Sequence, residues 1–148
     1  MNDPVAILKR DHREVMQMLQ TLEASKPGAR RRQTVQKVTT ALQLHMEIEE
    51  RDIYPLVERV VGEEEAEEAT VEHGLTRVGL EQLQALVDEP GFGAVVAMLM
   101  AGLRHHVKEE EQEVFPELKR KIDREQLREL GDRVAAAKKP PRRTRAAA

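Results

Sequence analysis

Cysteine is absent from the 148 residues, and aromatic residues make up only 2% of them. Without thiolates the chain can form no disulfide, iron–sulfur cluster or sulfur-ligated zinc site. Any metal ion must therefore be held by imidazole, carboxylate or phenolate groups. The longest apolar run, residues 94–103, is too short to cross a bilayer, and the N-terminus is charged too early for a signal peptide. These absences predict a cytoplasmic protein without a membrane partner.

The composition favours helices over strands. Charged residues account for 34% of the chain, while the net charge is only −3 and the pI about 6.0. Abundant alanine, leucine, glutamate, arginine and valine suit helices, and the length suits one domain with a sizeable core. We therefore expect an all-α monomer, and nothing in the overall charge calls for nucleic acid as a partner.

Five helices are predicted from apolar residues at three- and four-residue steps and from capping signals. The first follows the cap pair Asp3-Pro4 and ends near Ala24. The others are expected at about 29–61, 63–87, 92–121 and 124–137, with a local bend at Pro55. Residues 138–148 are basic and rich in proline, so they are predicted to be a disordered tail outside the domain of residues 1–137.

Two stretches of the chain repeat one another at an offset of 61 residues. HMEIEERDIYP, residues 45–55, recurs as HVKEEEQEVFP, residues 106–116. His12 aligns with His73 at the same offset. The chain therefore reads as one helical hairpin written twice. Two such hairpins with short loops predict an up-down-up-down four-helix bundle, here with a short fifth helix.

The bundle would direct one histidine from each of its four helices into a shared interior. These histidines are His12, His45, His73 and His106. Glu49 and Glu110 follow two of them at four-residue spacing, which turns only about 40° around a helix. Burying two carboxylates without cations is costly, and no lysine lies at these stripe positions. A pair of divalent or trivalent metal ions would supply the missing charge.

Neighbouring polar residues are assigned to the surface. The repeat aligns His106, and not His105, with the first copy, and the helical face of His105 is mostly polar. The glutamates beside the two interior ones are expected to form a solvated acidic face; they are Glu50, Glu109 and Glu111.

The combination of motifs resembles the hemerythrin-like, HHE cation-binding family. The matching elements are DHR at 11–13, HMEIE at 45–49, EH at 72–73 and HVKEE at 106–110. The resemblance implies a non-haem di-iron centre, oxo- or hydroxo-bridged, in a four-helix bundle. By position, His12 and His45 would hold one iron, His73 and His106 the other, and Glu49 and Glu110 would bridge them. Nitrogen and carboxylate donors without sulfur suit iron or manganese.

The repeat breaks at two positions. Arg77 stands where oxygen-carrying members of the family have a further histidine, which disfavours reversible oxygen transport. Tyr54, the only tyrosine, aligns with Phe115. It could pack like that phenylalanine with its hydroxyl in water, because five residues rotate it about 140° from Glu49 in an ideal helix. Alternatively, a wide turn near Pro55 would bring the phenol to an iron as a further ligand.

The resemblance points first to an enzyme that decomposes hydrogen peroxide, a catalase-like defence against oxidative stress, with no catalytic residue beyond the metal centre. The alternative is a protein that binds or senses oxygen, nitric oxide or iron without turnover. Signalling in cis is disfavoured because we expect no output domain. Two irons per chain make a poor store, and buried acids argue against a metal-free bundle.

Overall fold

The computed structural model describes residues 2–140, and this part of the chain contains helices but no β-strand. In chain order the helices are α1 (Pro4–Glu23), α2 (Ala29–Ile48), α3 (Tyr54–Val60), α4 (Glu63–Ala85), α5 (Phe92–Glu109), α6 (Phe115–Lys121) and α7 (Arg124–Lys138). Two π-helical turns, Glu49–Ile53 and Glu110–Val114, connect α2 to α3 and α5 to α6. None of the helices within residues 2–140 has the length and apolar character needed to span a membrane.

The first and last helices begin at the predicted caps. The Asp3 side chain accepts hydrogen bonds from the backbone N–H groups of Val5 and Ala6. Asp123 and Gln126 bond to each other's backbone in a capping box. Each cap satisfies N–H groups that a helix leaves without partners, and contributes about 1 kcal/mol.

Helical structure follows the predicted spans of about 29–61 and 92–121, and each span contains a wider, π-helical turn near its proline. In the first π turn the N–H of Tyr54 bonds to the carbonyl of Glu49, five residues back. Phe115 and Glu110 make the same bond in the second. The proline that follows lies in the first turn of the next helix, where its missing N–H costs little.

The long helices pack in neighbouring pairs. α1 lies against α2 and α5, α4 lies against α2 and α5, and α7 packs across α1. Lys138, which was assigned to the tail, is the last residue of α7. Residues 141–148 of the predicted tail lie outside the described part of the chain.

Two apolar clusters fill the interior at different levels. One contains Leu8 and Phe115 and is completed by α3, α6 and α7. The other contains Leu19 and Leu83 and lies between α1, α2, α4 and α5. His12 falls between the two clusters along α1. A layer of polar side chains therefore separates the two halves of the core.

Candidate metal centre

The four interior histidines and the two interior glutamates meet in this polar layer. None of the six is more than 6% exposed. Their donor atoms form two groups, each with all its members within 4.8 Å of one another. The groups are His12, His45, Glu49 and Glu110, and His73, His106, Glu49 and Glu110. Because both glutamates belong to both groups, the layer offers two adjacent places for a cation with two shared carboxylates.

The shared carboxylates lack hydrogen-bond partners. No oxygen of Glu49 or Glu110 receives a hydrogen bond of good geometry from the described residues. Nevertheless Nε2 of His45 lies 2.9 Å from Glu49 Oε1, and Nε2 of His106 is in close contact with Glu110. These nitrogen and oxygen atoms are close together but are not aligned for hydrogen bonds. Such an arrangement is expected of ligands that are directed at a shared metal position. An unpaired buried group costs about 1–3 kcal/mol, and more when charged, so this donor set fits cations.

Without a bound metal, protons would balance part of the buried negative charge. Burial and the charge of Glu49 raise the pKa of Glu110 well above its ordinary value. Burial also opposes ionisation of Glu49, but the positive charge of His45 holds its pKa well below the usual range. Burial disfavours the charged ring of His45, yet Glu49 and a hydrogen bond to Asp11 raise its pKa to about 10. Metal binding must therefore displace protons from His45 and Glu110.

Each of the four histidines has a carboxylate at its outer ring nitrogen. The Nδ1–oxygen distances are 2.9 Å for His12–Glu111, 3.1 Å for His45–Asp11, 2.7 Å for His73–Glu50 and 3.1 Å for His106–Glu72. A carboxylate at this position holds the ring hydrogen on Nδ1 and leaves the lone pair on Nε2, which faces the centre. All four rings are thus oriented with Nε2 toward the centre, where this nitrogen can bind a metal when it carries no proton.

These outer carboxylates were missed from the sequence. Glu50 and Glu111 were expected on a solvated face, and this is wrong, since their side chains are only 33% and 29% exposed and each holds a histidine. The repeat contains the signal that identifies them. Glu50 aligns with Glu111, and Asp11 with Glu72, at the same offset of 61 residues. His105 lies outside the centre as expected, with its side chain 60% exposed.

Two of the outer carboxylates each accept hydrogen bonds from a positively charged side chain. Arg77 donates to both oxygens of Glu50 at 2.9 and 2.7 Å, and Lys138 Nζ donates to Asp11 at 2.7 Å. Burial alone would raise the pKa of Asp11, but hydrogen bonds from His45 and Lys138 outweigh it and lower that pKa. Arg77 thus supplies no donor to the centre and acts on the carboxylate behind it.

Tyr54 brings a phenol into one half of the centre. Its hydroxyl lies 2.9 Å from Nε2 of His73 and 3.3 Å from Nε2 of His106, and the residue is 5% exposed. The π turn accounts for this position, because its five-residue hydrogen bond stacks Tyr54 over Glu49. Burial, followed by the charges of Glu49 and Glu110, raises the pKa of the phenol far above its ordinary value.

The other half of the centre has no such oxygen. Phe115 takes the equivalent place, and its ring lies parallel to that of His12 at a centroid distance of 6.3 Å. The Nε2 atoms of His12 and His45 approach each other to 3.2 Å there. The two halves therefore differ by one donor, although the repeat makes them otherwise alike.

A small cavity touches all four histidines. Its volume is about 20 Å³, and most of its other walls are apolar, with Val15, Leu42 and Leu103 among them. A cavity needs about 10–15 Å³ to hold one water molecule. The space therefore suits a ligand of very few atoms.

Residues 3–118 match the protein family described as Hemerythrin HHE cation binding domain. The chain belongs to this family. The resemblance drawn from the motifs is thereby confirmed, and the family description agrees with the histidine–glutamate groups of the buried layer. The chain is also 26% identical over 133 residues to a DNA nickase of Nostoc sp. (strain PCC 7120). This match covers 89% of the chain but only 38% of the nickase. No solved structure matches the chain.

Proposed function

We propose that this hemerythrin domain holds two iron ions in its buried centre and breaks hydrogen peroxide down to dioxygen and water. The observation that carries the metal pair is the position of two unpaired buried carboxylates among four inward-facing Nε2 atoms. The proposed ligands are His12 and His45 for one ion, His73, His106 and Tyr54 for the other, and Glu49 and Glu110 for both.

We also propose that α1, α2, α4 and α5 are arranged in up-down-up-down order. Its support is that α1 packs on α2, α2 on α4, α4 on α5 and α5 on α1, which is a closed ring of neighbours. Short connections between such neighbours favour antiparallel packing. Each helix then contributes one histidine to the same interior layer.

The chain's own contribution is to orient donors and exclude water. When bound, a pair of iron ions supplies a two-electron redox couple, so that one peroxide is reduced to water while another is oxidised to dioxygen. The outer carboxylates hold each imidazole as a neutral Nε2 donor. The donors are buried, and the cavity of about 20 Å³ that touches the four histidines suits a molecule of peroxide size.

A second candidate is the binding of dioxygen or nitric oxide without turnover. The apolar walls of the cavity favour it, because they suit an apolar diatomic ligand.

Strand nicking, the activity in the name of the Nostoc relative, is not part of the proposal. A cleft beside the centre is lined by glutamates, which repel the phosphates of a nucleic acid.

An oxygen electrode tests the proposed reaction. Iron-loaded protein freed of loose iron should release dioxygen when peroxide is added. The Glu49→Gln/Glu110→Gln variant, which lacks both shared charges, should release none. If protein carrying two irons per chain evolves no dioxygen, peroxide breakdown is rejected. A change in its visible spectrum on adding nitric oxide would then favour the binding function.

A further inference from the structure

An acidic cleft leads from the surface to the buried centre. Its volume is about 400 Å³, and eight of its twelve lining residues are glutamates. No lysine or arginine of residues 2–140 lines it. Glu110 and His106 belong to the lining, so the cleft reaches two of the proposed ligands.

Four side chains form a compact group of donors, here named the mouth cluster: Glu68, Glu72, His105 and Glu109. The three glutamates line the cleft, and His105 lies beside two of them. One donor atom from each lies within 4.8 Å of the others. Nε2 of His105 is 3.1 Å from Glu109 and 3.5 Å from Glu72. The side chains of His105 and Glu109 are 60% and 30% exposed, so an ion can reach them from solvent.

Glu72 connects the mouth cluster to the centre. One of its oxygens accepts from Nδ1 of His106 at 3.1 Å, while the other lies near His105. Glu109 precedes Glu110, whose side chain is 3% exposed and whose oxygens have no hydrogen-bond partner among residues 2–140. The glutamates along the cleft attract a cation, and Glu110 at its inner end offers unpaired oxygens that can take it up.

We propose that the mouth cluster binds a divalent cation and passes it along the cleft to Glu110. The cluster offers carboxylate and imidazole donors, the same kinds as the centre, which suits ferrous iron as cargo. A cleft of one charge sign also concentrates its counter-ion and accelerates capture. The surface site stands on its own geometry, whereas delivery to the centre rests on the proposed metal-binding function.

Binding at the mouth cluster is measured by titrating iron-loaded protein with Mn²⁺ and following free Mn²⁺ by electron paramagnetic resonance. The wild type should bind one further Mn²⁺ per chain. Glu68→Gln/Glu109→Gln should abolish this binding, and His105→Asn should weaken it. Glu125→Gln/Glu129→Gln removes the same charge from α7, outside the cleft, and should bind like the wild type. Equal binding by the wild type and the Glu68→Gln/Glu109→Gln variant would overturn the site.

Delivery is measured by adding ferrous iron to metal-free protein without oxygen and timing its protection from a chelator. Glu68→Gln/Glu109→Gln should load about tenfold more slowly at low ionic strength, with a smaller difference in salt. Its final iron content should equal that of the wild type and of the α7 control. Equal loading rates would overturn delivery. If even the wild type protects no iron, the proposed centre fails, while a Mn²⁺ titration of the wild type and the Glu68→Gln/Glu109→Gln variant without iron still decides on the mouth cluster.

Discussion

The phenol of Tyr54 is the donor that distinguishes the two halves of the centre, so its removal tests the account closely. In metal-free protein, Tyr54→Phe deletes contacts of 2.9 and 3.3 Å to His73 and His106. The hydroxyl has one hydrogen and can donate to only one of the two rings at a time. A net hydrogen bond contributes about 0.5–1.5 kcal/mol, so we expect the free energy of unfolding to fall by about that amount. For a domain of this size that lowers Tm by roughly 2–6 °C, measurable by circular dichroism.

The visible spectrum of iron-loaded protein gives the decisive readout. A phenolate bound to ferric iron absorbs in the visible range, and Tyr54→Phe should remove that band while both irons stay bound. Burial and the charges of Glu49 and Glu110 raise the pKa of the phenol. Raising the pH of the folded metal-free protein should therefore leave the phenol neutral, and its ionisation should require iron.

Phe115→Tyr is the matched control, because it adds a hydroxyl at the equivalent position in the other half of the repeat. This variant should keep the band that belongs to Tyr54. A Tyr54→Phe protein with full iron content and an unchanged visible spectrum would refute ligation by the phenol. It would also refute the inference that the π turn positions this residue for a metal.

Three further outcomes are expected. Asp11→Asn, which weakens the hold on His45, should lower metal affinity about 10–100-fold in a chelator competition; an unchanged affinity would show that the outer carboxylates do not control the imidazoles. The folded, metal-free pKa of His45 is raised from 6.5 to about 10, so its stabilising contribution is complete below pH 6.5 and lost as the pH rises through about 10. Denaturant titrations should therefore show that metal-free protein is less stable at pH 10 than at pH 7. Iron binding should release protons, so its affinity should rise over the same pH range. A stability or an affinity that does not change with pH would contradict the corresponding prediction. Removing the metal should lower Tm, because a ligand at a hundredfold excess over its Kd stabilises the fold by about 2.7 kcal/mol. Equal Tm values for the metal-free and the metal-loaded protein would mean that no metal binds the folded state.

The sequence predicted the helical class and the inward histidines because both depend on local periodicity. His12 and His73 continue apolar stripes, and the repeat confirms their equivalence. Four-residue spacing then identified Glu49 and Glu110, which are among the most buried polar residues. The up-down order of the helices remains a prediction, since it depends on contacts between distant segments.

The π turns could not be predicted in the same way. Pro55 signalled a disturbance of the helix, but a missing N–H is compatible with either a bend or a wider turn. The difference decides where Tyr54 points.

The outer carboxylates show a different limit of sequence reasoning. An acidic residue beside a buried one usually faces solvent, and Glu50 and Glu111 were assigned on that basis. Their role depends on histidines of other helices, from which they are separated by 23 and 99 residues along the chain. Alignment of both copies of the repeat places acids at matching positions, but only the packing shows which histidine each one holds.

Iron content combined with Mössbauer spectroscopy tests the central claim most directly. Purified protein, washed with a weak chelator to clear surface ions, should contain two irons per chain. Because Glu49 and Glu110 belong to both donor groups, the two irons should be magnetically coupled. One iron per chain, two uncoupled irons, or zinc in their place would contradict the proposed centre.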